Sequence, residues 1–190
     1  GWHLLEMIND TLDLSRIEAG MLRLDLTPVP LQPLLSHCLA MVGPSAAQRG
    51  IELELRVDAN AQRVLADETR LKQVITNLVS NAVKYNVQGG HVVVRAVRER
   101  DDWVTVRVLD TGPGLSETQM ADLFQPYNRL GREHSDTEGT GIGLVISRRL
   151  AELMGGTLDA ESVQGQGATF VLRLPWAGES EQPAQTALAA

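Results

Sequence analysis

The segment from about residue 67 to residue 85 carries a strong helical pattern that constrains the rest of the fold. At about 100° per residue, its apolar side chains fall together on one broad face of the helix. The members of this face are Leu71, Val74, Ile75, Leu78 and Ala82. A helix with one broad apolar face must bury it against another layer of structure. We therefore expect a layered domain in which this helix covers a core.

The other predicted elements alternate between helices and short strands. Helices are predicted at about 3–19, 31–48, 116–124 and 142–154, and strands at 22–26, 51–57, 92–97, 104–109, 157–162 and 168–174. Pro28 and Pro30 are expected to end the first strand, because proline has no N–H for a sheet. Helices interleaved with hairpin-type strands favour an α+β sandwich over a doubly wound parallel sheet.

Composition narrows the class of protein. The chain has 190 residues, which suits one domain with short appendages, and its net charge of −7 argues against a broad surface for nucleic acid or acidic membranes. Cys38 is the single cysteine, so an intrachain disulfide and a cysteine metal cluster are both excluded. No apolar run approaches the roughly 18 residues of a membrane span. We expect a cytoplasmic domain. Because the sequence does not begin with Met, we expect it to be a fragment of a longer protein, one that could be anchored to a membrane elsewhere.

The helix at 67–85 also has a narrow polar edge beside its apolar face. Gln73, Asn77, Asn81 and Lys84 fall in this arc. Asparagine is a poor helix former, so two of them one turn apart need a reason. Two interpretations stay open for this helix alone. The edge is either solvated, or it is a ligand wall that offers amide oxygens to a hard cation and an ammonium to a phosphate.

Two glycine-rich segments add weaker signals. Residues 110–114 (Asp-Thr-Gly-Pro-Gly) leave an apolar strand, and turn chemistry alone would explain them. Residues 139–144 (Gly-Thr-Gly-Ile-Gly-Leu) lead into a helix, whose free N–H groups favour phosphate, although a hinge would look the same. Neither the P-loop nor the dinucleotide fingerprint matches. The irregular stretch at 111–141 is too long for an inert connection, which indicates a lid or disorder.

Taken in order, the polar helix edge and the two glycine segments resemble the N box and glycine boxes of one ATPase superfamily. This superfamily includes gyrase, heat-shock chaperone, histidine kinase and mismatch-repair ATPases. Residues 123–129 (Leu-Phe-Gln-Pro-Tyr-Asn-Arg) resemble the F box of histidine kinases, and 77–86 and 150–156 are also kinase-like. The match covers about 20–176. The chain is thus identified as resembling the ATP-binding catalytic domain of a bacterial sensor histidine kinase.

This resemblance implies a Bergerat-type fold: a two-layer α/β sandwich with a mixed, mostly antiparallel sheet, about three covering helices and one long preceding helix. It implies ATP and Mg²⁺ as cofactors. Asn81 would supply the Mg²⁺ ligand, with Asn77 supporting it one turn earlier. Lys84 and, from the lid, Arg129 would act on the γ-phosphate. Asp110 would accept a hydrogen bond from the adenine amino group.

Further contacts to the nucleotide follow from the same resemblance. Tyr85 would pack against the nucleoside, and Arg132 is a weaker candidate than Arg129 for the γ-phosphate. Thr169 would help Asp110 to hold the base. The backbone contacts implied for the base and the phosphates come from Gly112, Gly114, Gly139, Gly141, Ile142, Gly143 and Leu144.

The first 20 residues resemble the second helix of a dimerisation and histidine-phosphotransfer hairpin. The implied organisation is residues 1–20 as that helix, 21–176 as the ATP-binding domain with a lid at about 115–141, and 177–190 as a disordered tail. The phosphoacceptor lies on the hairpin's first helix, followed by an acidic residue and soon by Pro. None of the four histidines has that context; they are His3, His37, His91 and His134.

The implied partners are the histidine-bearing helix of the parent kinase, a response regulator receiver domain and a second copy of the parent, with no nucleic acid and no direct membrane contact. Two alternatives remain. The first is an ATP hydrolase of the same superfamily. Such hydrolases resemble one another in having a general-base Glu at the position of Asn77. An amide is a poor base near neutral pH, so Asn77 disfavours this alternative. A nucleotide-binding regulatory module without catalysis is the other.

Overall fold

The computed structural model of the chain describes residues 2–126 and 142–178. Its helices are α1 (Trp2–Glu18), α2 (Leu31–Gln48), α3 (Glu68–Lys84), α4 (Glu117–Asp122) and α5 (Gly143–Leu153). Its strands are β1 (Thr27–Pro30), β2 (Glu52–Val57), β3 (Arg63–Ala66), β4 (His91–Arg98), β5 (Trp103–Asp110), β6 (Thr157–Ser162) and β7 (Ala168–Pro175). None of the helices among these residues has the length and apolar character that crossing a membrane requires.

The main sheet has five strands in the order β2-β4-β5-β7-β6. Strands β2 and β4 are parallel, and every other neighbouring pair is antiparallel. Alternate residues form buried rows across the strands, as where Val94 pairs with Val108 and Val108 with Phe170. Helix α2 packs on β2, α3 on β4 and β5, and α5 on β6 and β7. The expected two-layer sandwich with a mixed, mostly antiparallel sheet under three helices is confirmed.

Helix α3 is central to this core, and both of its ends are fixed by side chains. Asp67 caps the start by accepting a hydrogen bond from the Arg70 N–H at 3.0 Å. At the other end, Arg49 donates to the carbonyl oxygens of Val83, Lys84 and Asn86. Every apolar residue predicted to face the core is buried. The polar edge of α3 is thereby held in one place relative to the sheet.

The first predicted strand is wrong. Residues 22–26 have no regular structure, and the strand is β1, which includes both prolines. Strand β1 pairs antiparallel with β3 alone, in a separate two-stranded sheet. Proline is tolerated there because only one side of the strand needs hydrogen bonds. Leu22 and Leu24 still pack against the core, which explains their alternation.

Helix α1 has two halves with different surroundings. Leu14 and Ile17 are buried, and Asp13 lies 3.4 Å from the guanidinium of Arg70 and accepts a 3.2 Å hydrogen bond from Gln73. The other half carries large exposed side chains, with between 48% and 62% of their surface accessible. These are Leu4, Leu5, Ile8 and Leu12. The C-terminal half of α1 therefore packs against the rest of the described structure, whereas the predicted apolar stripe extends beyond this contact.

Candidate nucleotide-binding site

The polar edge of α3 faces α5. Asn77 donates a 3.0 Å hydrogen bond from Nδ2 to the hydroxyl of Ser147 in α5. Asn77 and Lys84 line a groove of about 550 Å³ together with Gly143, the first residue of α5. The groove continues to Asp10 of α1. The edge is thus part of a concave wall between elements, which disfavours the interpretation as a merely solvated edge.

A smaller cavity of about 40 Å³ lies beside the groove. Its lining combines one carboxylate with amide, aromatic and aliphatic side chains. The residues that line it are Asn81, Tyr85, Asp110, Gly114, Leu115, Leu144, Ala168 and Phe170. Five of these were predicted as site residues, while Leu115, Ala168 and Phe170 were not. A recess that combines apolar walls with a carboxylate and an amide suits the edge of a heterocycle that carries an amino group.

Asp110 is held by main-chain donors. One oxygen, Oδ1, accepts from the N–H of Gly112 at 2.9 Å and from the N–H of Ala168 at 3.2 Å. Burial raises the pKa of Asp110 above its ordinary value, and these two hydrogen bonds oppose that rise. Because both bonds use the same oxygen, the geometry fixes the plane of the carboxylate at the wall of the cavity.

A glycine is required at position 112 because the backbone there lies close to the backbone at the end of α3. A Cβ at this position would lie 2.7 Å from the carbonyl oxygen of Tyr85 and 3.0 Å from Oδ1 of Asp110. No side chain fits between the end of α3 and the bend after β5. The glycine therefore lets the aspartate and the tyrosine line the same cavity.

Asn86 was not predicted as a site residue. It links the end of α3 to the bend after β5. It is 6% exposed, and its Nδ2 donates to the carbonyl oxygen of His91 at 3.0 Å. Its Oδ1 accepts from the Thr111 hydroxyl at 3.1 Å and from the Val87 N–H at 2.8 Å. A buried asparagine with both ends bonded is a structural brace. It sets the position of the bend that carries Asp110.

The first turn of α5 stands between the groove and the small cavity. Gly143 lines the groove, and Leu144 lines the cavity. The N-cap residue is Ile142, which is fully buried and has no side-chain oxygen to satisfy the first N–H groups of the helix. Such an end suits an anion. The predicted contacts Gly139, Gly141 and Arg129, like Arg132, lie outside the described residues.

The structure does not bring Thr169 into the cavity. Ala168 and Phe170 line it, and successive side chains of a strand point to opposite faces of the sheet. Thr169 therefore lies on the face turned away from Asp110. Thr169 was expected to help Asp110 hold the base, but the contact from this strand to Asp110 is the hydrogen bond that the main-chain N–H of Ala168 donates to its Oδ1. The role predicted for Thr169 is corrected accordingly.

Fold and site together define a nucleotide-binding domain of the two-layer ATPase class. Residues 66–178 match the family model described as "Histidine kinase-, DNA gyrase B-, and HSP90-like ATPase". The chain belongs to this family.

Among curated proteins, the chain is similar to sensor histidine kinases. It is 42% identical over 98% of its length to the virulence sensor protein BvgS of Bordetella bronchiseptica, and 40% identical over 92% of its length to the circadian input-output histidine kinase CikA of Synechococcus elongatus. It spans only 16% and 24% of those proteins. Among solved structures, full-length ShkA in complex with AMPPNP superposes with a TM-score of 0.82 at 35% identity, over 94% of this chain and 37% of that one.

Proposed function

We propose that this chain is the ATP-binding catalytic domain of a sensor histidine kinase, which transfers the γ-phosphate of Mg-ATP to a histidine on a dimerisation hairpin. The observation that carries the proposal is the small apolar cavity in which Asp110 faces Tyr85 and Leu144, directly beside the asparagine-bearing edge of α3. The similarity to BvgS and CikA supports the kinase within the family. The AMPPNP in the ShkA structure supports an adenine nucleotide as ligand.

Adenine recognition rests on the second carboxylate oxygen of Asp110. Its Oδ1 is engaged by two backbone N–H groups, which leaves Oδ2 to accept from the exocyclic amino group. Guanine presents a carbonyl oxygen at the corresponding position, and two acceptors would oppose each other there. The aromatic ring of Tyr85 and the side chains of Leu144 and Phe170 would enclose the base. This arrangement favours ATP over GTP.

The phosphates would extend from the cavity into the groove. The N–H groups in the first turn of α5 and the ammonium of Lys84 would neutralise part of their charge. The donor set fits Mg²⁺: Asn77 and Asn81 offer amide oxygens, and the remaining ligands of this ion are typically phosphate oxygens and water. When bound, Mg²⁺ supplies further charge neutralisation in phosphoryl transfer. This chain's own residues position the nucleotide and exclude bulk water from the base.

Asn77 favours a kinase over a hydrolase. A hydrolase needs a base that activates water at this position of α3, and the amide of Asn77 has no proton affinity near neutral pH. Its Nδ2 is, moreover, already committed to Ser147. In a kinase the nucleophile is an imidazole supplied by another helix, so no base is needed on α3. Phosphoryl transfer then depends on positioning and charge neutralisation.

The partners follow from this function. The exposed stripe Leu4, Leu5, Ile8 and Leu12 supports packing of α1 against other helices of a dimeric hairpin bundle. A receiver domain of a response regulator would accept the phosphate from the hairpin histidine.

The test adds a separately made histidine-bearing hairpin of the parent protein to this chain, with ATP labelled on the γ-phosphate. Acid-labile label on the hairpin is the expected result, and a hairpin with the histidine replaced by glutamine is the control. Steady release of free phosphate without transfer would instead support the hydrolase. Nucleotide binding with neither transfer nor hydrolysis would support a regulatory module.

A further inference from the structure

The side-chain amide of Asn77 is held at both ends by two residues of α5. Its Nδ2 donates to the hydroxyl of Ser147 at 3.0 Å. Its Oδ1 lies so close to Gly143 that a Cβ at that position would be 2.6 Å away. Gly143 and Ser147 are four residues apart, so they occupy the same face of α5, one turn apart. Together these two residues form the contact surface for the amide, which we call the seat: Gly143 leaves space for Oδ1, and the Ser147 hydroxyl accepts from Nδ2.

In the structure the amide of Asn77 has one defined orientation, with Nδ2 at Ser147 and Oδ1 at Gly143. An asparagine side chain can rotate by 180°, which exchanges an acceptor oxygen for a donor NH₂ group at nearly the same position. Ser147 is 1% exposed and lies inside the contact between α3 and α5, so its hydroxyl is in a fixed place. Because the hydroxyl receives Nδ2, the oxygen Oδ1 is directed to Gly143. Gly143 and Ser147 both line the groove proposed for the phosphates, and Gly143 is the one in the first turn of α5, whose N–H groups are proposed to face the phosphates.

We infer that Ser147 is a positioning residue for nucleotide binding, which keeps the Asn77 oxygen turned towards the phosphate and Mg²⁺ side of the groove. This inference rests on the proposed function. Gly143 has a second role beyond the phosphate contact implied by the glycine box, because any side chain there would push the amide out of its seat. The seat also joins α5 to α3 through one hydrogen bond between side chains 70 residues apart.

A double-mutant cycle on the full chain tests the inference. ATP dissociation constants are measured by calorimetry, with Mg²⁺ and with a chelator instead, for wild type, Ser147→Ala, Asn77→Ala and the double variant. Losing one neutral hydrogen bond corresponds to about a 3- to 10-fold weaker Mg-ATP affinity for Ser147→Ala. Without Mg²⁺, this variant should bind ATP as the wild type does. In the Asn77→Ala background, adding Ser147→Ala should change the affinity by less than about 1.5-fold.

Two further variants separate positioning from stability. Thr105 is another buried hydroxyl, 2% exposed, in β5 and outside the site, so Thr105→Val controls for removal of a buried polar group. It should leave the Mg-ATP dissociation constant unchanged. Ser147→Cys keeps the size of the side chain with a poorer acceptor. It provides the same test if Ser147→Ala does not fold, and it should also weaken Mg-ATP binding.

The outcomes are distinguishable. A wild-type chain that does not bind Mg-ATP would overturn the proposed function itself. A wild type that binds, together with a Ser147→Ala variant of equal affinity, would overturn only the positioning role. Equal losses with and without Mg²⁺, or full additivity with Asn77→Ala, would show that Ser147 only stabilises the fold and would also overturn it.

Discussion

Replacing Asp110 by asparagine should strengthen the fold and weaken ATP binding at the same time. Asparagine keeps an Oδ1 that accepts from the N–H groups of Gly112 and Ala168, so the backbone around the cavity stays satisfied. It removes a carboxylate that is partly buried. It also places an NH₂ group where the adenine amino group needs an acceptor. A hydrogen bond to a charged group contributes about 1.5–3 kcal/mol, which corresponds to a roughly 10- to 150-fold weaker affinity.

The effect on stability has a defined pH dependence. Burial raises the pKa of Asp110, so the folded state keeps this proton to a higher pH than the unfolded chain does. The stabilisation from the protonated form is complete below the ordinary carboxyl value of 3.8 and is lost as the pH rises through the raised pKa. Asparagine does not titrate. The free energy of unfolding of Asp110→Asn should therefore match that of wild type in acid and exceed it at neutral pH.

The assay combines calorimetric ATP titration with urea unfolding at several pH values between about 4 and 7. Asp110→Ala is the contrasting variant, since it leaves two backbone N–H groups without an acceptor at about 1–3 kcal/mol each. It should lose both affinity and stability, with Tm lower by at least about 4 °C. Asp101→Asn, at an exposed position between β4 and β5, is the control and should change neither. An Asp110→Asn variant that binds ATP as tightly as wild type, or that is less stable at neutral pH, would refute this reasoning.

Three other perturbations have separate expected outcomes. Arg49→Ala removes the guanidinium from the carbonyl groups at the end of α3; it should lower the free energy of unfolding by about 2–3 kcal/mol in urea titrations, and Arg49→Lys should recover only part of this. Asn81→Ala should abolish Mg²⁺-dependent ATP affinity in calorimetry with an unchanged circular dichroism spectrum. Asp13→Ala breaks a partly buried contact with Arg70 and Gln73; amide exchange in the second half of α1 should become faster, with a loss below about 1 kcal/mol.

Long elements with a clear period could be predicted from the sequence because their signal is local. The helix predicted at 31–48 has those bounds in the structure, and the helix predicted at 67–85 is shorter by one residue at each end. In both cases the apolar face determines the packing, and the sequence carries that face within a few turns. The hairpin of β4 and β5 was predictable for the same reason.

The small sheet could not be predicted because its stability is not local. Strands β1 and β3 have four residues each, and β1 contains two prolines, which normally mark the end of a strand. The two strands form because they pair with each other: Thr27 pairs with Ala66 and Val29 with Val64. Helix α2 and strand β2 lie between them in the sequence. A short edge strand of this kind depends on its partner. Its own residues give little indication of it.

The site shows the same division between local and distant information. The candidate acceptors, Asn77, Asn81 and Asp110, stood out as polar residues next to an apolar helix face or strand end, and the resemblance to the ATPase boxes gave them their roles. Their partners were not visible, since they lie far away in the chain. Ser147 is a common residue in the middle of a predicted helix. Only its contact with Asn77 gives it a role.

A partner can make its contact through the main chain or through its side chain, and this difference explains why the contact predicted for Thr169 was misplaced. Thr169 was assigned because residues 167–170 resemble a family segment in which a residue at that position helps the aspartate to hold the base. The donor to Asp110 is, however, a main-chain N–H, which every residue except proline carries. Position 168 therefore needs a side chain that fits the cavity and no particular functional group. Position 147 needs its hydroxyl, because the group that receives Asn77 is part of the side chain. Side-chain chemistry can thus be read from a sequence only where the side chain itself makes the contact.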